Sequence, residues 1–380
     1  MKIVTIVGAR PQFIKAAAVG RAIEANNQRR SSSGIQEILV HTGQHYDFQM
    51  DRVFFDELRL PTPDYHLGVG SGSHAKQTGL MLEGIEAVLL KEKPRIVVVY
   101  GDTNSTLAGA LAAAKLNLPV AHVEAGLRSY NRIMPEEINR LVADHLSTLL
   151  FCPTRQAVHN LAGEGIEDGD LRAVKNVGDV MYDSVLYYSE LAEEKSTILQ
   201  DLGLGAPSSY TERFQTVPYY LATLHRAENT DHPHRLRSVL RALDEIGRDI
   251  PVILPLHPRT KKMMKVHQLL TVGKRIRLID PVSYLSMLVL ERNAKLIFTD
   301  SGGVQREAYW FKVPCLTLRE ETEWVETLRN GWNVLVGVET KRILEHVSQV
   351  KKKKRTGKEA RIFGDGRASE KIVQMIAGRG

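Results

Sequence analysis

Three carboxylates fall within one stretch of this chain, each where a charge is poorly placed for building a core. Asp102 follows an apolar run and a glycine in Val98-Val99-Tyr100-Gly101-Asp102-Thr103. Glu124 closes the run Val120-Ala121-His122-Val123 and precedes Ala125-Gly126. Glu136 follows Met134-Pro135 and is succeeded by Glu137. Acids at strand ends, beside glycines and arginines, can move protons next to a bound anion. Simpler readings stand beside that one. Asp102 could cap a helix, ahead of Thr103, Asn104 and Ser105, for about 1 kcal/mol. Glu136 could open a helix, where acids suit the dipole. Glu124 has no such reading: an unpaired charge after a buried strand is costly, so it requires a partner such as Arg128 or a ligand.

Three more motifs sit at the same kind of place. In Gly8-Ala9-Arg10-Pro11, Gly8 permits a tight turn, Pro11 suits a first helical turn, and Arg10 and Lys15 lie near a helix N-terminus that favours anions. In Thr299-Asp300-Ser301-Gly302-Gly303, small residues after an apolar run let backbone amides approach a phosphate, and Glu307 in the next turns could accept ribose hydroxyls. His225-Arg226 follows a third apolar run and His257 a fourth, which points to a polyanion site, although a lone histidine is more often structural. No histidine pair has metal-ligand spacing, so neither metal nor cofactor is expected. Gly68-Val69-Gly70-Ser71-Gly72 follows no apolar strand and reads as a mobile loop. No serine elbow with triad context marks acyl hydrolysis.

Elements that could position these residues alternate along the chain. Apolar runs at 3–7, 38–41, 96–100, 120–123 and 149–152 are expected strands, followed by 219–223, 252–256, 277–278, 296–299 and 313–318. Helical patterns such as 105–115 and 234–247 lie between them. Such alternation implies parallel sheets flanked by helices, with ligands at the strand ends. A length of 380 residues favours two domains, with a boundary near 178–183. Residues 26–34 and 204–209 read as loops.

Composition narrows the class. Hydrophobic content of 43% and charged content of 25% suit a soluble globular chain, with no apolar run for a bilayer. The first residues read as a buried strand rather than a leader peptide. Two cysteines make no framework, and a cytoplasmic, reducing compartment is expected. The net charge of +7 is local: residues 351–380 hold ten Lys/Arg and three Asp/Glu, and the other 350 residues hold 41 of each. With no aromatic interleaving, the run Lys351-Lys352-Lys353-Lys354-Arg355 reads as a solvated segment and not a nucleic-acid site.

Taken together, the motifs resemble those of the non-hydrolysing UDP-N-acetylglucosamine 2-epimerases over nearly the whole chain. The landmarks are Gly8–Pro11 with Lys15, Gly101–Thr103, His122–Arg128, Pro135–Arg140, His225-Arg226, Pro255–His257 and Asp300–Gly303. The resemblance implies an α/β fold of two Rossmann-like domains facing across a cleft, glycosyltransferase-B-like, spanning 1–178 and 179–364, with a C-terminal helix at about 365–380 crossing back. It implies a homodimer acting on a UDP-sugar, with no membrane or nucleic-acid partner. Asp102, Glu124, Glu136 and His225 would be catalytic. Arg10, Lys15, Arg226, His257, Ser301, Gly302, Gly303 and Glu307 would bind substrate. UDP-GlcNAc and UDP-ManNAc would interconvert by elimination of UDP to 2-acetamidoglucal and re-addition. The sequence departs from the usual pattern at Ala227, Met287, Arg306, Trp324, Val325, Lys76 and the residue after Gln44-His45. These departures look like the branch acting on UDP-2,3-diacetamido-glucuronate. A glycosyltransferase and a hydrolysing epimerase are the remaining alternatives.

Overall fold

The computed structural model describes residues 1–29, 34–44, 57–205, 217–352 and 361–378. The chain divides into two compact units, one of residues 1–187 with 360–380, the other of residues 188–359.

The first unit is built on a seven-stranded sheet. Its strands are β1 (Lys2–Val7), β2 (Gln36–His41), β3 (Tyr65–His66), β4 (Ile96–Tyr100), β5 (Val120–Val123), β6 (Leu149–Cys152) and β7 (Ala173–Asn176), in the order β3-β2-β1-β4-β5-β6-β7. Every pairing is parallel. Helices cover both faces of such a sheet, so its central strands are apolar throughout. β4, read as Ile-Val-Val-Val-Tyr, is buried at every position.

Around this sheet lie α1 (Arg10–Arg29), α2 (His74–Glu92), α3 (Asn104–Lys115), α4 (Pro135–Leu146), α5 (Arg155–Gly163) and the long α6 (Val180–Lys195), which leads into the second unit. The alanine-rich α3 buries Ala108, Ala110, Ala112 and Ala113 and packs between α2 and α4. Small side chains allow that close approach, which brings the start of α4 to the end of β4. The last helix, Ala368–Ala377, packs on α1. Its N-terminus lacks a cap of its own, and Asp183 supplies one by accepting from the Ala368 and Ser369 amides at 3.1 and 2.7 Å.

The second unit repeats the plan with β8 (Tyr220–Thr223), β9 (Val252–Pro255), β10 (Ile276–Ile279), β11 (Leu296–Thr299), β12 (Cys315–Thr317) and β13 (Asn333–Leu335), ordered β10-β9-β8-β11-β12-β13. All its pairings are also parallel. In each sheet the strand order reverses at one point, between β1 and β4 and between β8 and β11. Ligands of open parallel sheets bind beyond the strand ends at such a reversal. Gly8, Gly101 and Asp102 follow the first pair of strands; His225, Arg226 and Asp300–Gly303 follow the second.

Two local expectations change. Residues 26–29 are helical, as the last turn of α1, and Asn27 then ties to Ile35 through two hydrogen bonds of 2.8 Å. Residues 30–33 lie outside the described residues, as do 206–209 of the second expected loop, His45 and Lys353–Arg355. The 68–72 glycine loop is fastened rather than loose. Val69 and Gly70 donate to Thr42 and Gly43, and Gln77 donates to Gly70.

Candidate active site

Glu124 occupies an unusual backbone position. Its φ is +73°, in the left-handed region that favours glycine, a conformation that costs on the order of 1–3 kcal/mol. The surroundings enforce it: the amides of Glu124 and Ala125 both donate to the Phe151 carbonyl at the end of β6. The turn sends the carboxylate back over the sheet, where it is buried and paired with Lys15 of α1. Gly101 makes room for that pair, since a Cβ there would lie 3.2 Å from Glu124 Oε2 and 3.3 Å from Lys15 Nζ. Lys15 is therefore the cation for Glu124, not Arg128 as its spacing suggested. Arg128 is committed elsewhere, to Asp144 at 2.7 Å and to both oxygens of Glu164.

Asp102 is not the helix cap. Thr103 takes that position, accepting from the Thr106 amide in a capping box. The Asp102 carboxylate instead meets Arg140, whose Nη2 and Nε lie 2.5 and 3.1 Å from Oδ2. Asn139 donates to the Asp102 carbonyl at 2.9 Å. Both partners come from α4, so the Pro135–Arg140 motif locks the β4 end in place.

Glu136 and Glu137 differ sharply. Glu137 is buried and accepts from the Ser129 and Tyr130 amides, the Ser129 hydroxyl and Arg140. Burial opposes its charge, but Ser129, Arg140 and Tyr130 hold its carboxyl below the usual range. It fastens the loop leading into α4. Glu136 is part-exposed in the first turn of that helix, and no hydrogen bond or ion pair among the described residues holds it. The structure thus brings Asp102 and Glu124 to adjacent strand ends and leaves Glu136 available on the helix that anchors Asp102.

Several supporting residues escaped the sequence reading. His122 is fully buried on β5, with Nδ1 2.7 Å from Asp144 Oδ1 and Nε2 2.7 Å from the Gly101 carbonyl. Asp144 also accepts from the Gly126 amide. Burial opposes the Asp144 charge, but His122 and Arg128 hold its carboxyl below the usual range. Gln12 accepts from the Gly8 and Ala9 amides and donates to the Tyr100 carbonyl, joining the ends of β1 and β4. Only tertiary proximity makes these partners, and spacing carries no signal of it. Arg10 opens α1. His41 is wedged between Phe13 and His66, and burial, then His66, pushes its pKa down to about 4.

In the second unit Asp300 is the organiser. It is fully buried and accepts from the His225 and Arg226 amides and from Asn229 Nδ2, and lies 3.2 Å from His225 Nδ1. Burial opposes its charge, and His225, Asn229 and the Arg226 amide outweigh that penalty. The His225 side chain is 39% exposed, so it can meet a ligand. The His257 ring lies 5.6 Å from it and caps α10 (Pro258–Val266) by accepting from the Arg259 amide. The remaining helices of this unit in chain order are α7 (Ile198–Asp201), α8 (Ala227–Thr230), α9 (Pro233–Ile246), α11 (Tyr284–Asn293), α12 (Gly302–Trp310) and α13 (Thr340–Lys352).

Ser301 caps α12, accepting from the Val304 amide. Gly302 admits no side chain, because a Cβ would lie 2.7 Å from Glu323 Oε1 and 3.2 Å from Trp324 Nε1. Arg226 reaches Glu323 at 3.5 Å, and Arg319 reaches it at 2.9 Å. Glu307 is buried on α12 and accepts from the Tyr284 hydroxyl at 3.3 Å. Two departures from the expected pattern meet here: the Arg306 guanidinium stacks 3.8 Å above the Trp324 ring. The usual pattern has Glu at 306 and Arg at 324. In this chain the two positions meet in a cation–π contact between two buried residues. Among the described residues no group of His, Cys, Asp and Glu could hold a metal ion.

The family model described as UDP-N-acetylglucosamine 2-epimerase matches residues 27–377. The chain belongs to this family. A UDP-N-acetylglucosamine 2-epimerase homolog of Methanococcus maripaludis is 53% identical over 380 residues, covering 99% of both chains. The UDP-2,3-diacetamido-2,3-dideoxy-D-glucuronate 2-epimerase of Pseudomonas aeruginosa is 48% identical over 378 residues, with the same coverage. The crystal structure of Methanocaldococcus jannaschii UDP-GlcNAc 2-epimerase in complex with UDP-GlcNAc and UDP superposes with a TM-score of 0.87, at 45% identity and full coverage of both chains. The architecture is the two-Rossmann, glycosyltransferase-B-like one of this family. No described helix is long and apolar enough to cross a membrane.

Proposed function

We infer that this chain is a non-hydrolysing UDP-N-acetylglucosamine 2-epimerase, interconverting UDP-GlcNAc and UDP-ManNAc. One observation carries the reading most: Glu124, held at a positive φ with its carboxylate on Lys15, beside the Asp102–Arg140 pair. A buried acid kept in a strained conformation by its own backbone partners is a positioned reagent rather than core.

The second unit takes the UDP portion. The α12 N-terminus and its small-residue turn suit the diphosphate, with His225, Arg226 and His257 near it and Glu307 on the ribose. The acids of the first unit act on the sugar. A base takes the C2 proton as the C1–O bond to UDP breaks, giving 2-acetamidoglucal and UDP. A proton then returns to C2 from the opposite face, and UDP re-adds at C1. The cations stabilise the departing diphosphate, and carboxylates on two faces exchange the proton. Asp102, Glu124 and Glu136 fill those roles, with Lys15 and Arg10 as supporting cations. We place the enzyme in the cytoplasm as a homodimer.

A second reading has a specific basis. The similarity to a UDP-2,3-diacetamido-glucuronate epimerase, with Ala227, Met287, Trp324 and Val325 at variance with the usual pattern, favours that uronate as the alternative substrate. Incubation with each sugar nucleotide, followed by 1H and 31P NMR, separates the possibilities. The expected product from UDP-GlcNAc is UDP-ManNAc with its diphosphate intact. Turnover of the uronate alone would move the assignment to the second substrate, and free sugar with free UDP would refute both.

A further inference from the structure

Glu291 is a buried acid that the proposed reaction does not use. It lies on α11 with no exposed surface, and neither carboxyl oxygen receives a hydrogen bond among the described residues. An ionised carboxylate left in that state would be very costly. Its neighbour explains how the site is tolerated. Tyr284, seven residues earlier and so on the same helix face, donates its hydroxyl to Glu307 of α12 at 3.3 Å. Glu291 lies against the same carboxylate, and α11 packs directly on α12. Two ionised carboxylates in contact have no donor between them. One proton on Glu291 removes the repulsion and turns the contact into a hydrogen bond.

We propose that Glu291, as a neutral carboxylic acid, donates to Glu307 and with Tyr284 holds that carboxylate in the orientation that receives the ribose hydroxyls of the UDP-sugar. Glu291 is thus a positioning residue, acting through Glu307. The proposal rests on the reading of Glu307 as the ribose contact. Burial, then the charge of Glu307, pushes the Glu291 carboxyl well above its ordinary range, in agreement with a group that stays protonated at neutral pH. Tyr188 packs edge-on against Tyr284 at 5.8 Å, which fixes the phenol beside the pair.

The test is a binding cycle with the full-length protein, measuring UDP and 2′,3′-dideoxy-UDP by calorimetry. Wild type should prefer UDP through its hydroxyls. Glu291→Met, close in shape and unable to donate, should lose about tenfold in UDP affinity with little change for the dideoxy ligand. Glu291→Gln, whose amide can still donate, should recover most of that loss. Equal weakening of both ligands by Glu291→Met would show a merely structural role and overturn the proposal. Glu307→Ala separates the two layers. If it abolishes the preference for UDP while Glu291→Met leaves the preference whole, the positioning role fails and the ribose contact stands. If it leaves the preference intact, the ribose reading itself fails. Infrared difference spectra of wild type against Glu291→Gln give a check independent of the Met variant's folding. A protonated carboxyl band is expected, and a carboxylate band in its place would overturn the proposal.

Discussion

The two units place their working residues at the same topological point and equip it differently. In the first, the strand ends carry side-chain charges in fixed pairs, Glu124 with Lys15 and Asp102 with Arg140, and one of these pairs is buried. In the second, the strand ends carry a capped helix start, an exposed histidine and one buried carboxylate, Asp300, that holds the His225-Arg226 turn in shape. The difference suits the division of labour proposed above. A proton acceptor must be a side chain whose charge is fixed and compensated. A diphosphate is best met by backbone amides and a field that needs no rearrangement.

That contrast can be broken from the acid side first. Asp102→Asn and Glu124→Gln should each lower turnover by about a thousandfold while leaving UDP affinity within a fewfold of wild type. Unchanged turnover in either would remove that residue from the chemistry. Lys15→Met should destabilise the protein by about 3 kcal/mol, because it strands Glu124 as a buried charge, and the double variant with Glu124→Gln should regain much of that stability without activity. Chemical denaturation reads both effects. Additive losses would show that the pair does not share one buried charge.

The second unit offers a smaller test. Removing the Arg306–Trp324 contact by Arg306→Met should cost about 1 kcal/mol. Replacing both residues by the usual family pair, Arg306→Glu with Trp324→Arg, should be better tolerated than either change alone. If the double variant is worse than both single ones, the two departures are not compensating.

A pH-dependent effect lies on β2, away from both sites. Glu37 accepts from the Thr5 hydroxyl at 2.5 Å, and burial, partly offset by Thr5 and reinforced by Asp64 and Glu24, raises its pKa from 4.5 to about 7. A carboxyl whose folded pKa is raised binds its proton more tightly when folded. Its contribution to stability is therefore lost as pH rises through that window and is fully present below it. Glu37→Gln should flatten the thermal stability profile between about pH 4.5 and 7. An unaltered slope would contradict the assignment.

Much of the fold was legible because buried parallel strands are continuous apolar runs: 96–100, 120–123, 149–152 and 296–299 coincide with observed strands. The strands that escaped, β3, β7 and β13, are sheet edges or next to them, short and mixed in polarity, as Ala173-Val174-Lys175-Asn176 illustrates. The positions of the site motifs at strand ends were legible too, because glycine and charge after an apolar run mark them. Their partners were not. Arg128 lies four residues from Glu124 and looked available, yet the pairing went to Lys15, 109 residues away, because the positive φ at Glu124 turns its carboxylate toward α1. Likewise nothing in Glu136-Glu137 told which acid the helix start would bury.

The central claim is that the acids of the first unit move the C2 proton of a UDP-sugar that the second unit holds by its diphosphate. Incubating the enzyme with UDP-GlcNAc in deuterated water, and following C2 by NMR, tests it most directly. The account predicts deuterium at C2 of both epimers with UDP attached, and no incorporation with Glu124→Gln. Epimerised product that keeps its original hydrogen at C2 would contradict it.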